Sequence, residues 1–307
     1  MNHLLTILGP TASGKTQLAA NLGSIINGQI ISADSRQVYR KMDIGTGKDL
    51  SDYVVEGKTV PYHLIDIVNP GECYNVFEFL RNFSNTFKSV ISDNCIPILC
   101  GGSGMYLDSV LREYNMGKAP INKELRGQLD TLTNDELIDK LGSYGSLHNT
   151  SDTSDKERLI RAIEIADFQK KHSEFSLKLP KFSSVNFGIT FERQILRSRI
   201  TERLNSRLEE GLVEEVESIL ALGITPDQLM YYGLEYKFVT MHLIGQLSYD
   251  QMYTKLNTAI HQFAKRQMTW FRGMEKKGVK INWIDGNIDL KEKLGVILNK
   301  IKTREDI

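Results

Sequence analysis

Short apolar runs and longer amphipathic segments alternate over the first third of the chain. "HLLTILGP" (3–10) is a short apolar run ending in Gly-Pro and predicts a buried strand. "GQIISADS" (28–35) and "CIPILCGGSG" (95–104) are two more runs of that kind. Between them, "TQLAANLGSII" (16–26) and "NVFEFLRNFSNTFKSVIS" (75–92) carry helical patterns. Strands alternating with helices form a parallel sheet through right-handed crossovers. Ligands of such sheets sit at the carboxyl ends of the strands. The three runs lead into "GPTASGKT", "ADSRQ" and "GGSG", so these loops are expected to meet in one crevice.

After Glu113 the pattern changes. Residues 114–184 hold polar helical segments, "TNDELIDKLGSY" and "DKERLIRAIEIADFQKK", joined by turns rich in Gly, Ser and Asn, and predict a helical insert. "VNFGITF" (185–191) returns to a strand pattern and is expected to rejoin the sheet. Two long amphipathic helices are expected next, then a last strand at "VKINWID" (279–285). The core is therefore assigned to residues 1–113 and 185–307, and a small helical domain to 114–184.

The first loop has a specific spacing. Gly9 is followed by Pro10, Thr11, Ala12 and Ser13, then by Gly14, Lys15 and Thr16. Backbone N–H groups of such a P-loop form an anion nest at a helix N-terminus. Lys15 adds a point charge, and the Thr16 hydroxyl is placed to hold Mg²⁺. With a strand before it and an amphipathic helix after it, the motif reads as a phosphate site rather than a plain glycine turn. The expected fold class is α/β, a P-loop NTPase-like parallel sheet flanked by helices. The motif leaves open which phosphates bind. There is no Asn-Lys-x-Asp for guanine, and the third run enters Gly101 and Gly102 without a terminal carboxylate. The strand-end carboxylate near the cradle is Asp34, in "SADSRQVYRKMDIGTGK". Three roles are open to it: Mg²⁺ ligand, general base, or turn residue. Arg36, Gln37 and Thr46 add polar groups that can read a second substrate.

Composition narrows the setting. A formal net charge of +0 argues against indiscriminate binding to polyanions and leaves room for a local basic face. No apolar run approaches the roughly 18 residues of a membrane helix. No secretory pattern precedes the first strand, so a cytoplasmic protein without membrane association is expected. Cys73, Cys95 and Cys100 form no CxxC pair and no zinc spacing, which fits a reducing compartment.

Six segments occur in order: "GPTASGKT", "DSRQVYRKMDIGTGK", "PYHLIDI", "GGSGMYL", "DKERLIRAIE" and "FAKRQMTWFR". Together they resemble the tRNA dimethylallyltransferase family, also called tRNA isopentenyltransferases, from residue 4 to about residue 285. The resemblance implies prenyl transfer from dimethylallyl diphosphate to N6 of adenosine 37, beside the tRNA anticodon, with Mg²⁺ as cofactor and a monomer as the working form. The cradle would then hold the diphosphate of a prenyl donor instead of ATP. Carried onto this chain, Thr11 to Thr16 bind the diphosphate with Mg²⁺. Asp34 is the general base, and Ser35, Arg36 and Gln37 lie against the tRNA. Ser103 stands where the family usually has the threonine of a Gly-Gly-Thr, keeps the hydroxyl, and takes over its role in catalysis and tRNA contact. Arg126 matches a tRNA-contacting arginine of the insert, and Glu157, Arg158 and Arg161 match a further tRNA-contacting segment. Three departures are visible, one of them a short insert between Leu141 and Asp155. His261 in "IHQFAKRQ" replaces a family arginine, and "YYGLEY" stands in the family's "VGYR" region.

Basic residues are available for the anionic substrates. In "RSRITERLNSRLEEG", Arg199, Arg203 and Arg207 stand four residues apart on one helix face, beside Ile200, Leu204 and Leu208. Arg207 is expected to pair with Glu202, Glu209 or Glu210. Arg193 and Arg199, nearest the returning strand, are the candidates for diphosphate or tRNA. The last long helix begins at Ser248, with Gln251 completing a capping box. Met252, Leu256, Ile260 and Phe263 make its apolar stripe. Trp270 and Phe271 read either as core or as stacking partners of a base. Lys265 and Arg266, within the matched motif, are assigned to tRNA. Two rival readings share parts of the pattern. A P-loop small-molecule kinase leaves the basic helix unexplained, and a nucleotide-gated RNA-binding module gives Asp34 no work.

Overall fold

The structure is a computed structural model and describes residues 2–114, 116–117, 119–144, 155–172 and 176–302. The chain forms two compact units, one of Met1–Glu113 with Pro180–Ile307 and one of Tyr114–Leu179. In chain order the strands are β1 (His3–Leu8), β2 (Gly28–Ala33), a hairpin of β3 (Val54–Val55) and β4 (Lys58–Thr59), β5 (Tyr62–His63), β6 (Ile96–Gly101), a second hairpin of β7 (Met116–Gly117) and β8 (Ser176–Leu177), β9 (Ser183–Thr190) and β10 (Ile281–Asp285). The helices are α1 (Lys15–Ile26), α2 (Val76–Ser92), α3 (Gly104–Leu111), α4 (Lys123–Asp130), α5 (Asn134–Gly142), α6 (Lys156–Lys171), α7 (Arg193–Glu209), α8 (Leu212–Ala221), α9 (Pro226–Met230), α10 (Leu234–Leu243), α11 (Tyr249–Lys276) and α12 (Leu290–Lys302).

Six strands form one parallel sheet in the order β10-β9-β1-β6-β2-β5. The third apolar run thus lies between the first two. Gly101 pairs with Leu8 on one side and with Ala33 on the other, so the loops after β1, β2 and β6 open side by side. Alternation along the strands sorts the apolar side chains onto two faces. Leu5, Ile7, Ile30, Ile98 and Phe187 pack with Leu18 and Leu22 of α1 and Ile297 of α12. On the opposite face α2 lies against β2 and β6. Its Phe79, Phe83 and Phe87 are fully buried. The result is a P-loop NTPase-like α/β sheet flanked by helices.

The region expected to be two long helices is more divided. α7 and α11 are those helices, with α8, α9 and α10 between them. Gly211 (φ 101°) and Gly223 (φ 89°) adopt the left-handed backbone on either side of α8, which ends a helix cheaply only at glycine. The capping box of Ser248 and Gln251 forms as expected. α8, α10 and α11 bury Val216, Tyr236, Leu256 and Ile260 against Val38, Tyr39 and Met42, which fastens the loop after β2 to the helical layer.

In the second unit α4, α5 and α6 share a small core of Leu129, Leu137, Leu159, Ile160 and Ile163. Its C-terminal limit, expected at residue 184, falls at Leu179. Phe182 already packs on Phe83 and Phe87, and β9 starts at Ser183. The Ser- and Asn-rich stretch 145–154 lies outside the described residues. Among those residues no helix is long and apolar enough to cross a membrane.

Candidate active site

The chain leaves β1 at Leu8 and turns through the P-loop into α1. Ala12 (φ 61°) and Gly14 (φ 76°) take left-handed conformations, which curls the loop. Ala12 does so despite its Cβ, and such strain of about 1–3 kcal/mol persists where surrounding structure enforces it. Gly14 caps α1 without a side-chain hydrogen bond, leaving the helix N-terminus open as an anion site. The buried Ser13 hydroxyl has no hydrogen-bond partner among the described residues, and a Cβ on Gly9 would lie 2.8 Å from it. Lys15 donates from Nζ to the Pro10 carbonyl at 3.3 Å. Burial, reinforced by Arg203, lowers the Lys15 ammonium below its ordinary value, while Asp34 opposes the shift. A poorly solvated cation of this kind favours an incoming anion. Thr16 lines the same cavity.

Asp34 is the first residue after β2. Its Oδ1 accepts N–H bonds from Arg36 (2.8 Å) and Gln37 (3.3 Å), an Asx turn. Oδ2 has no hydrogen bond among the described residues and Asp34 lines the cavity. Ser103, in the loop after β6, accepts the Ser35 N–H at 3.0 Å and reaches the Ser35 hydroxyl at 3.3 Å. The hydroxyl read as catalytic therefore also ties the third loop to the Asp34 loop. Gln37 accepts from the Ser32 hydroxyl at 3.3 Å and donates to the Gly47 carbonyl at 2.9 Å.

α11 closes the cavity from the other side. Gln267 is buried, accepts the Thr11 N–H at 2.9 Å and donates to the Gly102 carbonyl at 2.9 Å. One amide thus joins the first and third loops. A Cβ on Gly102 would lie 2.5 Å from the Gln267 amide nitrogen, and one on Gly104 2.5 Å from the Trp270 ring. The glycines of "GGSG" are the room that α11 needs. Sequence reasoning did not assign Gln267. Its signal was a polar residue at an inward position, between buried Ala264 and Phe271. Trp270 and Phe271 separate, since Trp270 lines the cavity while Phe271 is fully buried beside Trp283. Phe263 also leaves the expected apolar stripe and lines the cavity.

The arginines of α7 that line the cavity lie C-terminal to the two expected to meet the substrates. Arg203 and Arg207 line the cavity; Arg193 and Arg199 are exposed and do not. Arg199 instead donates from Nε to the Ala12 carbonyl at 2.9 Å and lies over the Phe191 ring at 4.9 Å, bracing the P-loop. Arg207 does not pair on its own helix; its partner is Glu235 of α10 at 3.8 Å. Arg203 meets Asp49 at 2.6 Å. Burial lowers the Arg207 guanidinium and raises the Glu235 carboxyl. Gly47 (φ 66°) leaves space that a Cβ would take from both guanidinium groups. Its loop is pinned by Glu215, which accepts the N–H groups of Asp43 and Ile44 at 2.7 Å each, Gly45 at 2.9 Å and the Tyr236 hydroxyl at 2.7 Å.

The cavity measures about 610 Å³, the size of a small-molecule site. Ser35, Arg36, Gln37, Ser103 and Arg266 line it, and Lys265 lies exposed on α11 outside it. In the second unit Arg126 forms a double hydrogen bond with buried Glu164 at 2.9 and 2.8 Å, and Arg161 joins at 3.2 Å. Burial alone would raise the Glu164 carboxyl; the bonds from Arg126, the Asn122 N–H and Arg161 outweigh it and hold it below the ordinary value. Arg158 lies 3.7 Å from Asp155, and both it and Glu157 are exposed.

A parallel sheet with a P-loop at its first turn, a strand-end carboxylate in the next loop and a long helix along one side of a half-open cavity defines the class of P-loop enzymes. The IPP transferase family model matches residues 37–274, and the chain belongs to that family. It is 51% identical over 299 residues to a tRNA dimethylallyltransferase 2 of Bacteroides fragilis, covering 97% of this chain and 98% of that one. A tRNA dimethylallyltransferase 2 of Phocaeicola vulgatus is 50% identical over 301 residues, covering 98% of each chain. The crystal structure of a tRNA isopentenylpyrophosphate transferase from Bacillus halodurans aligns with a TM-score of 0.73 at 31% identity, covering 99% of this chain and 96% of that one.

Proposed function

We propose that this chain transfers a dimethylallyl group from dimethylallyl diphosphate to N6 of adenosine 37 in tRNA, releasing diphosphate. The observation that carries the reading is one cavity lined at once by the P-loop residues Thr11, Lys15 and Thr16, by Arg203 and Arg207, and by Asp34. The names of its relatives, tRNA dimethylallyltransferases, support the same reading. The cations suit a leaving group whose charge grows as its C–O bond breaks. The carboxylate suits an amine whose lone pair is delocalised into the adenine ring and which must shed a proton as the N–C bond forms. The N6 proton passes to Asp34, the allylic carbon to N6, and the C–O bonding pair to the diphosphate. An allylic donor eases that C–O cleavage, which favours dimethylallyl over isopentenyl diphosphate.

The residues present fit Mg²⁺. Thr16 brings a hard hydroxyl oxygen to the phosphate end, and among the described residues no group of three or more His, Cys, Asp or Glu gathers that could hold a metal alone. Thr16 would hold the ion and phosphate oxygens would complete it. Mg²⁺ there would offset charge on the departing diphosphate. On the acceptor side Ser35, Arg36, Gln37, Ser103, Lys265 and Arg266 are the proposed tRNA contacts. Glu157 and Arg158 present exposed side chains for the same purpose. Arg126 and Arg161 would reach RNA only with guanidinium edges outside their pairing with Glu164.

One assay tests the reading: tRNA supplied with dimethylallyl diphosphate, isopentenyl diphosphate or ATP. Pyrophosphate release with a five-carbon addition to tRNA is expected from the first alone. Robust tRNA-independent ATP hydrolysis without prenylated product would replace it with a kinase or ATPase.

A further inference from the structure

We propose that Tyr231 is the platform on which an RNA base flanking the reactive adenosine stacks. The proposal rests on the tRNA reading above and deepens its acceptor half. Tyr231 and Tyr232 follow α9 directly. Tyr232 is 4% exposed, accepts the Gly71 N–H on its hydroxyl at 2.6 Å and meets the Tyr39 ring edge-on at 4.6 Å. That anchor fixes the backbone and leaves the neighbouring Tyr231 ring 74% exposed. Folding gains little from an aromatic ring held in water, so its value lies in what it meets.

The surroundings name the class of partner. The Arg36 guanidinium lies over the Tyr231 ring at 5.4 Å and backs one of its faces. The Arg36 N–H in turn donates to the Asp34 carboxylate at 2.8 Å. The ring is therefore referenced to the proposed base through a single residue. Tyr231, Arg36, Lys237, Phe263 and Arg266 all line the cavity that holds Asp34. Drawing one base out of a stacked loop exposes a face of each neighbour. An exposed aromatic ring flanked by cations replaces that lost stacking while the cations meet the adjoining phosphates.

The test uses an anticodon stem-loop RNA carrying 2-aminopurine immediately 5′ or 3′ of the reactive adenosine. The wild-type enzyme is expected to quench the fluorescence at one of these positions. Tyr231→Phe keeps the ring and should keep the quench. Tyr231→Ala should lose most of it and raise KM for the RNA roughly tenfold, the size of one base–aromatic stack. KM for the prenyl donor and the melting temperature should stay at wild-type values. Quenching by Tyr231→Ala equal to wild type, or no quenching at either position by a wild type that prenylates the RNA, overturns the platform and leaves the tRNA reading intact. A donor KM that rises in parallel with the RNA KM returns Tyr231 to a general role in cavity shape. A wild type that neither binds nor prenylates the RNA removes the reading beneath it.

Discussion

At the scale of single residues, a carboxylate and an amide carry the most specific expectations. Asp34→Asn preserves size and much of the hydrogen bonding but cannot take a proton. As general base, its replacement should lower kcat by roughly 10²–10⁴-fold while donor and tRNA binding persist. Single-turnover prenylation across a Mg²⁺ titration separates the roles, since near-full recovery at high Mg²⁺ would make Asp34 a metal ligand. Gln267→Ala strips the Thr11 N–H and the Gly102 carbonyl of their shared partner in a buried place. The expected loss is about 1–3 kcal/mol of stability, read by denaturant unfolding. A raised KM for the donor should accompany it, because the P-loop loses its tie to the loop after β6. The P-loop and Asp34 were legible as motifs because their chemistry depends on neighbours in sequence. Gln267 was not, because its two partners lie 256 and 165 residues away.

At the scale of elements, packing sets the constraints. Gly104 begins α3 directly beneath Trp270 of α11, so Gly104→Ala overpacks that contact. A cost of about 1–3 kcal/mol is expected. Because the displaced element is the cavity roof, kcat/KM should fall by more than a change in melting temperature alone explains. In the second unit the Glu164 carboxyl lies below its ordinary value, so its stabilisation is fully present above the unfolded carboxyl pKa of about 4.3 and is lost as pH falls through the lower folded value. Glu164→Gln should cost about 2 kcal/mol at neutral pH. The gap to wild type should narrow as the pH enters the acid range, in urea unfolding followed at several pH values. A gap that stays constant with pH would mean that hydrogen bonding and not charge carries the contribution. Helix existence at α6, α7 and α11 was readable from periodicity, but helix phase against neighbours was not. Arg199, Arg203 and Arg207 share one face of α7, and only the sheet decides that the last two reach the cavity.

At the scale of the whole molecule, the balance of charge matters. With a formal net charge of +0, attraction to RNA has to come from local clusters. Lys265→Ala and Arg266→Ala should each raise KM for tRNA and reduce the slope of log KM against log salt by about one unit, with donor KM unchanged. An unaltered slope in both variants would place these side chains in solvent during catalysis. The sequence by itself determined the α/β class, the P-loop, the strand-end carboxylate and the position of a helical insert. Each of these is written in local spacing: an apolar run of strand length, a Gly-Lys-Thr at the start of a helix, a polar stretch between two strand patterns. Only the tertiary structure decided that β6 lies between β1 and β2, that Gln267 joins two loops, that Glu235 and not an acid of α7 faces Arg207, and that Tyr232 turns inward while Tyr231 is held in solvent. Those outcomes depend on which surfaces meet when the sheet forms and the helices pack on it. They follow from side-chain volumes and hydrogen-bond partners distant in the chain, to which a pattern of neighbouring residues is blind.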